Sequence, residues 1–380
     1  MRQAHLQAIG TAVPRYRAAQ VDVAVWAKRV AASKAAASGG DERSSRRIEA
    51  TIDRVYRNSA IHNRASVVPD YVADPSEFTF YPPNWRLEPS PTTAERMGTY
   101  RREAPPLAIT AVNRCLAGAP GVRSSDITHL IVVTCTGFFA PGIDTLLVKQ
   151  FGLRADVQRL QIGFMGCYAA FNALRTATSI CQAESNAVVL VVCVELCSIH
   201  FQNEYSMNNV VANCLFSDGA AATLVTSEVE GSQSGLFEIL GSHTVIAEDT
   251  DDQMTWTVTD TGFQMSLTAE VPETLRNAIA PFVDGLLAPH RLTPVDIGFW
   301  AVHPGGRRIV EAVRESLELP EDAVAASFDV LSEHGNMSSP TVLFVLERCV
   351  AKGIRTGDAG VALAFGPGLT LESLLLRSLS

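Results

Sequence analysis

Ser125-Asp126-Ile127-Thr128-His129-Leu130-Ile131-Val132-Val133 reads as a polar turn feeding an apolar strand, and Val295-Asp296-Ile297-Gly298-Phe299-Trp300-Ala301-Val302 echoes it late in the chain. Each copy ends in a loop with Thr or His and Gly, and each is followed by a Gly-containing loop, a buried helix and an apolar strand. A repeated unit of this kind implies two similar halves. The runs Leu130 to Thr134, Val188 to Val194 and Gly360 to Ala364 are continuously apolar, which predicts parallel strands covered on both faces. After Cys167 a helix carries Ala170, Phe171, Leu174, Ala177 and Cys181 on one face. The helix from Pro340 to Lys352 is apolar nearly all round and must be interior, with Ser339 as N-cap and Gly353 beyond its end. Two sheets with helices on both faces, sharing one interior helical layer, give an α/β fold of five layers, αβαβα. The first hundred residues are less regular. A helix is expected from about 18 to 35, an Arg-rich segment runs from Arg43 to Arg64, and the Pro-dense stretch 75–95 reads as an irregular surface excursion.

The chain has 380 residues, 47% of them hydrophobic, so a sizeable core is assured. A net charge of −9 argues against nucleic acid or a membrane surface as partner, because polyanions are repelled at long range. The sequence lacks an uninterrupted apolar run of membrane-spanning length, and Met1-Arg2-Gln3-Ala4-His5 lacks the apolar core of a secretory signal. A cytoplasmic protein with reduced thiols is therefore expected, despite eight cysteines. Cys193 and Cys197 are separated by roughly 13 Å along a strand, beyond disulfide reach. Cys197-x-x-His200 is at most half a metal site, so no metal is expected.

The chemistry gathers in three places. Gly163-Phe164-Met165-Gly166-Cys167 puts a cysteine where a loop enters an apolar helix; His303 stands at a strand end in Val302-His303-Pro304-Gly305-Gly306; Asn336 lies in Gly335-Asn336-Met337-Ser338-Ser339. A free cysteine has a pKa of about 8.5, and a helix N-terminus with a nearby imidazole stabilises the thiolate. Lowering that pKa by about 2 units corresponds to roughly 2.7 kcal/mol. Cys115, Cys181, Cys193, Cys214 and Cys349 read instead as small core hydrophobes. His303 alone reads equally well as a satisfied loop histidine, and Asn336 alone as a turn former. Together, and without an acid beside them, they suit a thiol that carries an acyl group while two neutral donors hold a thioester oxygen as it becomes an enolate.

These residues resemble the type III polyketide synthases, the chalcone-synthase-like branch of the thiolase fold. The resemblance rests on Gly166-Cys167, Val191-Val192-Cys193-Val194-Glu195, Leu215-Phe216-Ser217-Asp218-Gly219-Ala220, His303-Pro304-Gly305-Gly306, Gly335-Asn336-Met337-Ser338-Ser339 and Phe365-Gly366-Pro367-Gly368. It implies that residues 1–235 carry the nucleophile Cys167, and residues 236–380 the histidine and asparagine that polarise the malonyl thioester during decarboxylation and Claisen condensation. Phe216 would be the gatekeeper, and a second gatekeeping aromatic is replaced by Met265. Around the cavity the resemblance places Trp256 where plant chalcone synthases have glycine, Cys197 and His200 in place of small hydroxyl residues, and Cys135, Thr136, Ile199 and Ser338 on the remaining wall. Ala140 replaces a methionine that reaches across the dimer interface.

The resemblance further implies acyl-CoA and malonyl-CoA as substrates, no cofactor beyond them, a homodimer, and Arg54 and Arg308 among the coenzyme A contacts. Two expected lysines are replaced by Thr51 and Asn58, which Arg57, Arg307 or Arg308 would compensate. The pattern Trp256, Phe263, Met265 is similar to microbial alkylresorcinol and alkylpyrone synthases, in which an aliphatic chain fills a tunnel. Two alternatives are a malonyl-CoA-primed synthase making a small polyhydroxylated aromatic and a ketoacyl-synthase III-like priming enzyme. A thiolase proper would place a second cysteine near Phe365-Gly366-Pro367-Gly368, which contains none.

Overall fold

A computed structural model describes residues 2–227 and 235–379. Among these the strands are β1 (Ala4–Ala12), β2 (Tyr16–Ala19), β3 (Asn63–Ser66), β4 (His129–Thr134), β5 (Gln158–Gly163), β6 (Val188–Leu196), β7 (Asp218–Ser227), β8 (Phe237–Ile246), β9 (Met254–Thr259), β10 (Gly262–Leu267), β11 (Ile297–Val302), β12 (Ala359–Gly366) and β13 (Thr370–Ser378). The helices are α1 (Gln20–Ala37), α2 (Glu42–Arg57), α3 (Thr93–Ala117), α4 (Ile143–Phe151), α5 (Ala169–Ala183), α6 (Met207–Leu215), α7 (Val271–Leu287), α8 (Arg307–Ser316), α9 (Ala325–His334) and α10 (Thr341–Ala351).

Strand alternation explains the layering. In β4 and β6 the residues Leu130, Val132, Leu190, Val192 and Val194 face one apolar cluster with α3, whereas Ile131, Val133, Val189, Val191 and Cys193 face a second cluster built on α5 and α10. In β11 and β12, Phe299, Ala301, Ala362 and Ala364 join that same second cluster from the other side, while Trp300, Val302, Val361 and Leu363 pack under α7 and α8. Helices α5 and α10 are thus the filling between two sheets, and the fold is the thiolase-like αβαβα arrangement. Alanines 169, 170, 173 and 177 of α5 are all fully buried, which lets the interior helix approach the sheets closely.

The two sheets meet in the order β11-β12-β13-β8-β1-β7-β6-β4-β5, joined through the short antiparallel contact of Ala4–Leu6 with Phe237–Ile239. The echo in the sequence is a structural repeat: single turns at Ser124–Asp126 and Pro294–Asp296, each closed by its aspartate, lead into β4 and β11. Three expectations are corrected. The sheet is mixed rather than parallel, because β6 pairs parallel with β4 but antiparallel with β7, and β12 parallel with β11 but antiparallel with β13. Stretch 75–95 is irregular but not superficial, since Tyr81 and Leu87 are buried and Tyr81 packs on Trp26 and Phe201. Helix α10 starts at Thr341, and the hydroxyl of Ser339 donates to Glu195 instead of capping it.

Candidate active site

Cys167 follows β5 and precedes α5, with the Ala169 amide donating to Gly166 O at 3.1 Å. Gly166 is required here: its φ is +83°, and a Cβ would stand 2.5 Å from Cδ of Pro367 in the loop between β12 and β13. His303 follows β11, its amide donating to Leu363 O at 2.8 Å, and Gly305 turns the chain back onto His303 O at 2.9 Å. Asn336 stands between α9 and α10, just after Gly335, whose φ is +70°.

The structure brings these three residues together. They line one small hollow of about 30 Å³ with Phe216, Met265 and Gly305. Asn336 Oδ1 accepts from the Ser338 amide at 2.8 Å, which orients the carboxamide so that Nδ2 lies 3.9 Å from Cys167 Sγ and 3.3 Å from Gly305 O. His303 is 1% exposed, and neither ring nitrogen has a hydrogen-bond partner among the described residues, so both can meet a substrate atom. Burial holds this imidazole neutral, with its pKa down at about 3.

Burial also pushes the Cys167 thiol up to about 11, against the hydrogen bonds of Ser338 and Asn336 that favour the thiolate. Desolvation here outweighs the helix terminus, which was expected to favour the thiolate. A further correction concerns the acid. Glu195 is fully buried, close enough for its charge to oppose ionisation of Cys167. Its carboxylate accepts from the Cys135 amide and from the hydroxyls of Thr136 and Ser339, at 2.9, 2.7 and 2.6 Å. Desolvation nevertheless raises its pKa to about 7. The signal was an ionisable side chain ending the apolar run Val191 to Val194.

A larger, mostly apolar cavity of about 280 Å³ adjoins the hollow, and Phe216 and Met265 line both. Cys197, His200, Trp256 and Phe263 line the larger one. Trp256 Nε1 donates to Cys135 O at 2.7 Å. His200 donates from Nε2 to Thr136 O at 2.7 Å and accepts from the Phe263 amide at 3.0 Å, its ring stacked 4.2 Å from Phe263. With both nitrogens engaged, His200 cannot complete a metal site with Cys197. Among the described residues no cluster of three or more His, Cys, Asp and Glu is placed to hold a metal ion.

Other expected wall residues lie elsewhere. Cys135, Thr136 and Ile199 line neither cavity: the first two turn toward Gly166 and Glu195, and Ile199 is packed in the core. Ser338 lies beside the Cys167 thiol rather than in the larger cavity. Arg54 lines a surface hollow with Asp53, Arg57 and Asn58, and Arg308 is exposed; neither touches the two inner voids. Of their neighbours, Arg57 pairs with Asp53 and Arg307 with Glu311. Sequence reasoning missed Arg64, whose Nη1 donates to Asn213 O and Phe216 O at 2.6 and 2.7 Å, fixing the backbone of the gate.

A buried thiol at a helix start, faced by an unpartnered neutral imidazole and an oriented carboxamide and joined to an apolar cavity, is the equipment of an acyl-transferring condensing enzyme. Residues 2–229 match the family "Chalcone and stilbene synthases, N-terminal domain", and residues 238–380 its C-terminal domain. The chain belongs to the chalcone and stilbene synthase family and is a type III polyketide synthase, an acyltransferase. It is 38% identical over 328 residues to the "Alpha-pyrone synthesis polyketide synthase-like Pks18" of Mycobacterium tuberculosis, covering 85% of this chain and 81% of that one. It is 32% identical to "Probable polyketide synthase 1" of Dictyostelium discoideum over 86% of this chain but only 10% of that much longer protein. Among solved structures, PKS-I from the brown alga Ectocarpus siliculosus superposes with a TM-score of 0.89 at 32% identity, covering 100% of this chain and 99% of that one.

Proposed function

We propose that this enzyme loads an aliphatic acyl group from coenzyme A onto Cys167, extends it with malonyl-CoA, and releases an alkylpyrone or alkylresorcinol. The observation that carries the reading is the convergence of Cys167, His303 and Asn336 in one hollow beside an apolar cavity. Loading forms the Cys167 thioester, breaks that of coenzyme A, and passes the thiol proton by way of His303 to the departing thiolate. The malonyl thioester then takes the hollow. Its C–C bond to the carboxylate breaks, CO₂ leaves, and the electron pair settles on an enolate oxygen that accepts from His303 and Asn336. The enolate carbon attacks the Cys167 thioester and the cysteine leaves as thiolate. A histidine that stays neutral down to pH values near 3 suits a donor that must not be a spent cation.

The hollow at about 30 Å³ has room for one water-sized group, so a substrate must move Phe216 or Met265, and the unbranched thioether is the softer of the two. The larger cavity at about 280 Å³ corresponds to about nine groups of roughly 30 Å³ each. Burying that many methylenes is worth of order 7 kcal/mol, enough to select aliphatic starters. The name of the 38% identical relative supports a pyrone as product.

A homodimer belongs to this reading. Strand β5 is the outer edge of its sheet and is exposed along nearly its whole length. Leu160 on it and Phe138 and Phe164 beside it are 44%, 52% and 40% exposed, an apolar rim that a second copy would cover. The test is incubation with a series of acyl-CoA thioesters and malonyl-CoA. Product masses should show added two-carbon units, and digestion should locate the acyl group on Cys167. Loading at another residue would overturn the assignment.

A further inference from the structure

We propose that the apolar cavity is the inner part of a longer path whose outer end recognises an anion, so that the site takes starters carrying a terminal carboxylate on an aliphatic chain. The inference rests on the acyl-CoA reading above and names its substrate class.

Three voids follow one another. The catalytic hollow shares Phe216 and Met265 with the apolar cavity, and that cavity shares Arg15, Tyr16, Val68 and Pro69 with an outer groove of about 720 Å³. In a chain of net charge −9, the apolar cavity is lined by Arg15, Arg17 and Arg64 and, among the described residues, by no carboxylate. The three arginines are not equivalent. Arg64 is committed to Asn213 O and Phe216 O. Arg17 lies near Glu333, whose carboxylate is held by both terminal nitrogens of Arg348. Arg15 donates to the hydroxyl of its neighbour Tyr16 at 2.5 Å, and its guanidinium lies 4.6 Å from the centre of that ring.

The acids of the groove are taken. Glu95 accepts from the amide and hydroxyl of Thr92, and Glu103 accepts from Arg102. Arg15 is thus the cation at the junction of cavity and groove without a carboxylate partner among the described residues. A chain that outgrows the cavity meets polar surroundings there. A methyl end gains nothing from them, whereas a carboxylate gains charge-assisted hydrogen bonds from a planar guanidinium.

The test uses Cys167→Ala protein, which cannot be acylated, and titration calorimetry with dodecanoyl-CoA, the mono-coenzyme A thioester of dodecanedioic acid, and coenzyme A alone. The dicarboxylic thioester should bind about tenfold tighter than dodecanoyl-CoA. Arg15→Ala should abolish that advantage and leave dodecanoyl-CoA within about twofold, and Arg15→Lys should keep part of it. Equal affinities for the two thioesters, or an advantage that survives Arg15→Ala, would overturn the proposal. Coenzyme A alone weakening as much in Arg15→Ala would also overturn it, by assigning the junction to the coenzyme's phosphates. If neither thioester binds better than coenzyme A alone, the acyl-CoA reading fails and this inference with it.

Discussion

Phe216 and Asn336 lie side by side as a single parallel β-bridge: the Asn336 amide donates to Leu215 O, and the Ser217 amide to Asn336 O, both at 2.9 Å. The gate residue and the carboxamide donor therefore move as one backbone unit, with the Arg64 guanidinium beneath Phe216 O. A substrate that pushes Phe216 aside presses on the group that must hold its carbonyl. Truncating only the donor separates the two roles. Asn336→Ala should still form the Cys167 thioester, as read by intact-protein mass, while malonyl-CoA decarboxylation falls by about 10² to 10³-fold, the usual loss for one oxyanion donor. Loss of loading and decarboxylation in equal measure would mean that Asn336 serves the thiol rather than the enolate.

A thiol held near pKa 11 beside an imidazole held near 3 predicts a particular pH profile. Thiolate supply, and with it iodoacetamide alkylation of Cys167 in the substrate-free enzyme, should rise about tenfold per pH unit from pH 7 to about 10. His303→Ala should leave that slope in place. A rate that levels off below pH 8 would instead reveal a preformed thiolate and imidazolium pair and sink the neutral resting state.

Glu195 gives stability a pH dependence of definite sign. Its folded pKa of about 7 lies above the ordinary 4.5, so between these values the native state binds a proton that the unfolded chain has lost. Its contribution is present below pH 4.5 and is lost as pH rises through 7, by on the order of 3 kcal/mol. Comparing urea unfolding of the wild type with Glu195→Gln isolates this one group from the buried histidines, whose effect runs the other way. The stability difference between the two proteins should shift in favour of the glutamine variant by that amount between pH 5 and pH 8. A constant difference would show that Glu195 is ionised in the native state throughout.

How much was legible follows from what kind of signal each feature leaves. The five layers were readable because strand and helix apolarity is a local pattern, and the three site residues because glycine and proline mark the sharp turns beside them. Strand direction was not readable: β6 and β12 each pair parallel on one side and antiparallel on the other, and a strand buried on both faces is apolar in either case. The upward push on the Cys167 thiol was not readable because the helix terminus is visible in the order of residues, whereas burial in the hollow, and after it the charge of Glu195, come from remote segments. Arg15 and Tyr16 left no motif; their place at the end of the cavity comes from the β2 and β3 ribbon packing beside α6 and the Cys197–His200 turn.

Trp256 is the side chain through which cavity shape should be most directly tested. It lines the apolar cavity, stands edge-on to both Phe263 and His200 at 5.9 Å, and ties β9 to the loop after β4 through its bond to Cys135 O. Trp256→Gly removes an indole from the wall and leaves a buried carbonyl unpaired, so two effects are expected. Stability should fall by about 1 to 3 kcal/mol, less than for a fully buried tryptophan because the indole is only half-buried, read as a lower Tm. Among proteins that remain folded, longer or bulkier acyl-CoA starters should be accepted and the number of extensions should rise, because the vacated volume is continuous with the space holding the growing chain. Trp256→Phe, which keeps most of the ring but not the donor, should restore the starter preference and only part of the stability. A product spectrum unchanged in Trp256→Gly would mean that the indole supports the hairpin without shaping the cavity.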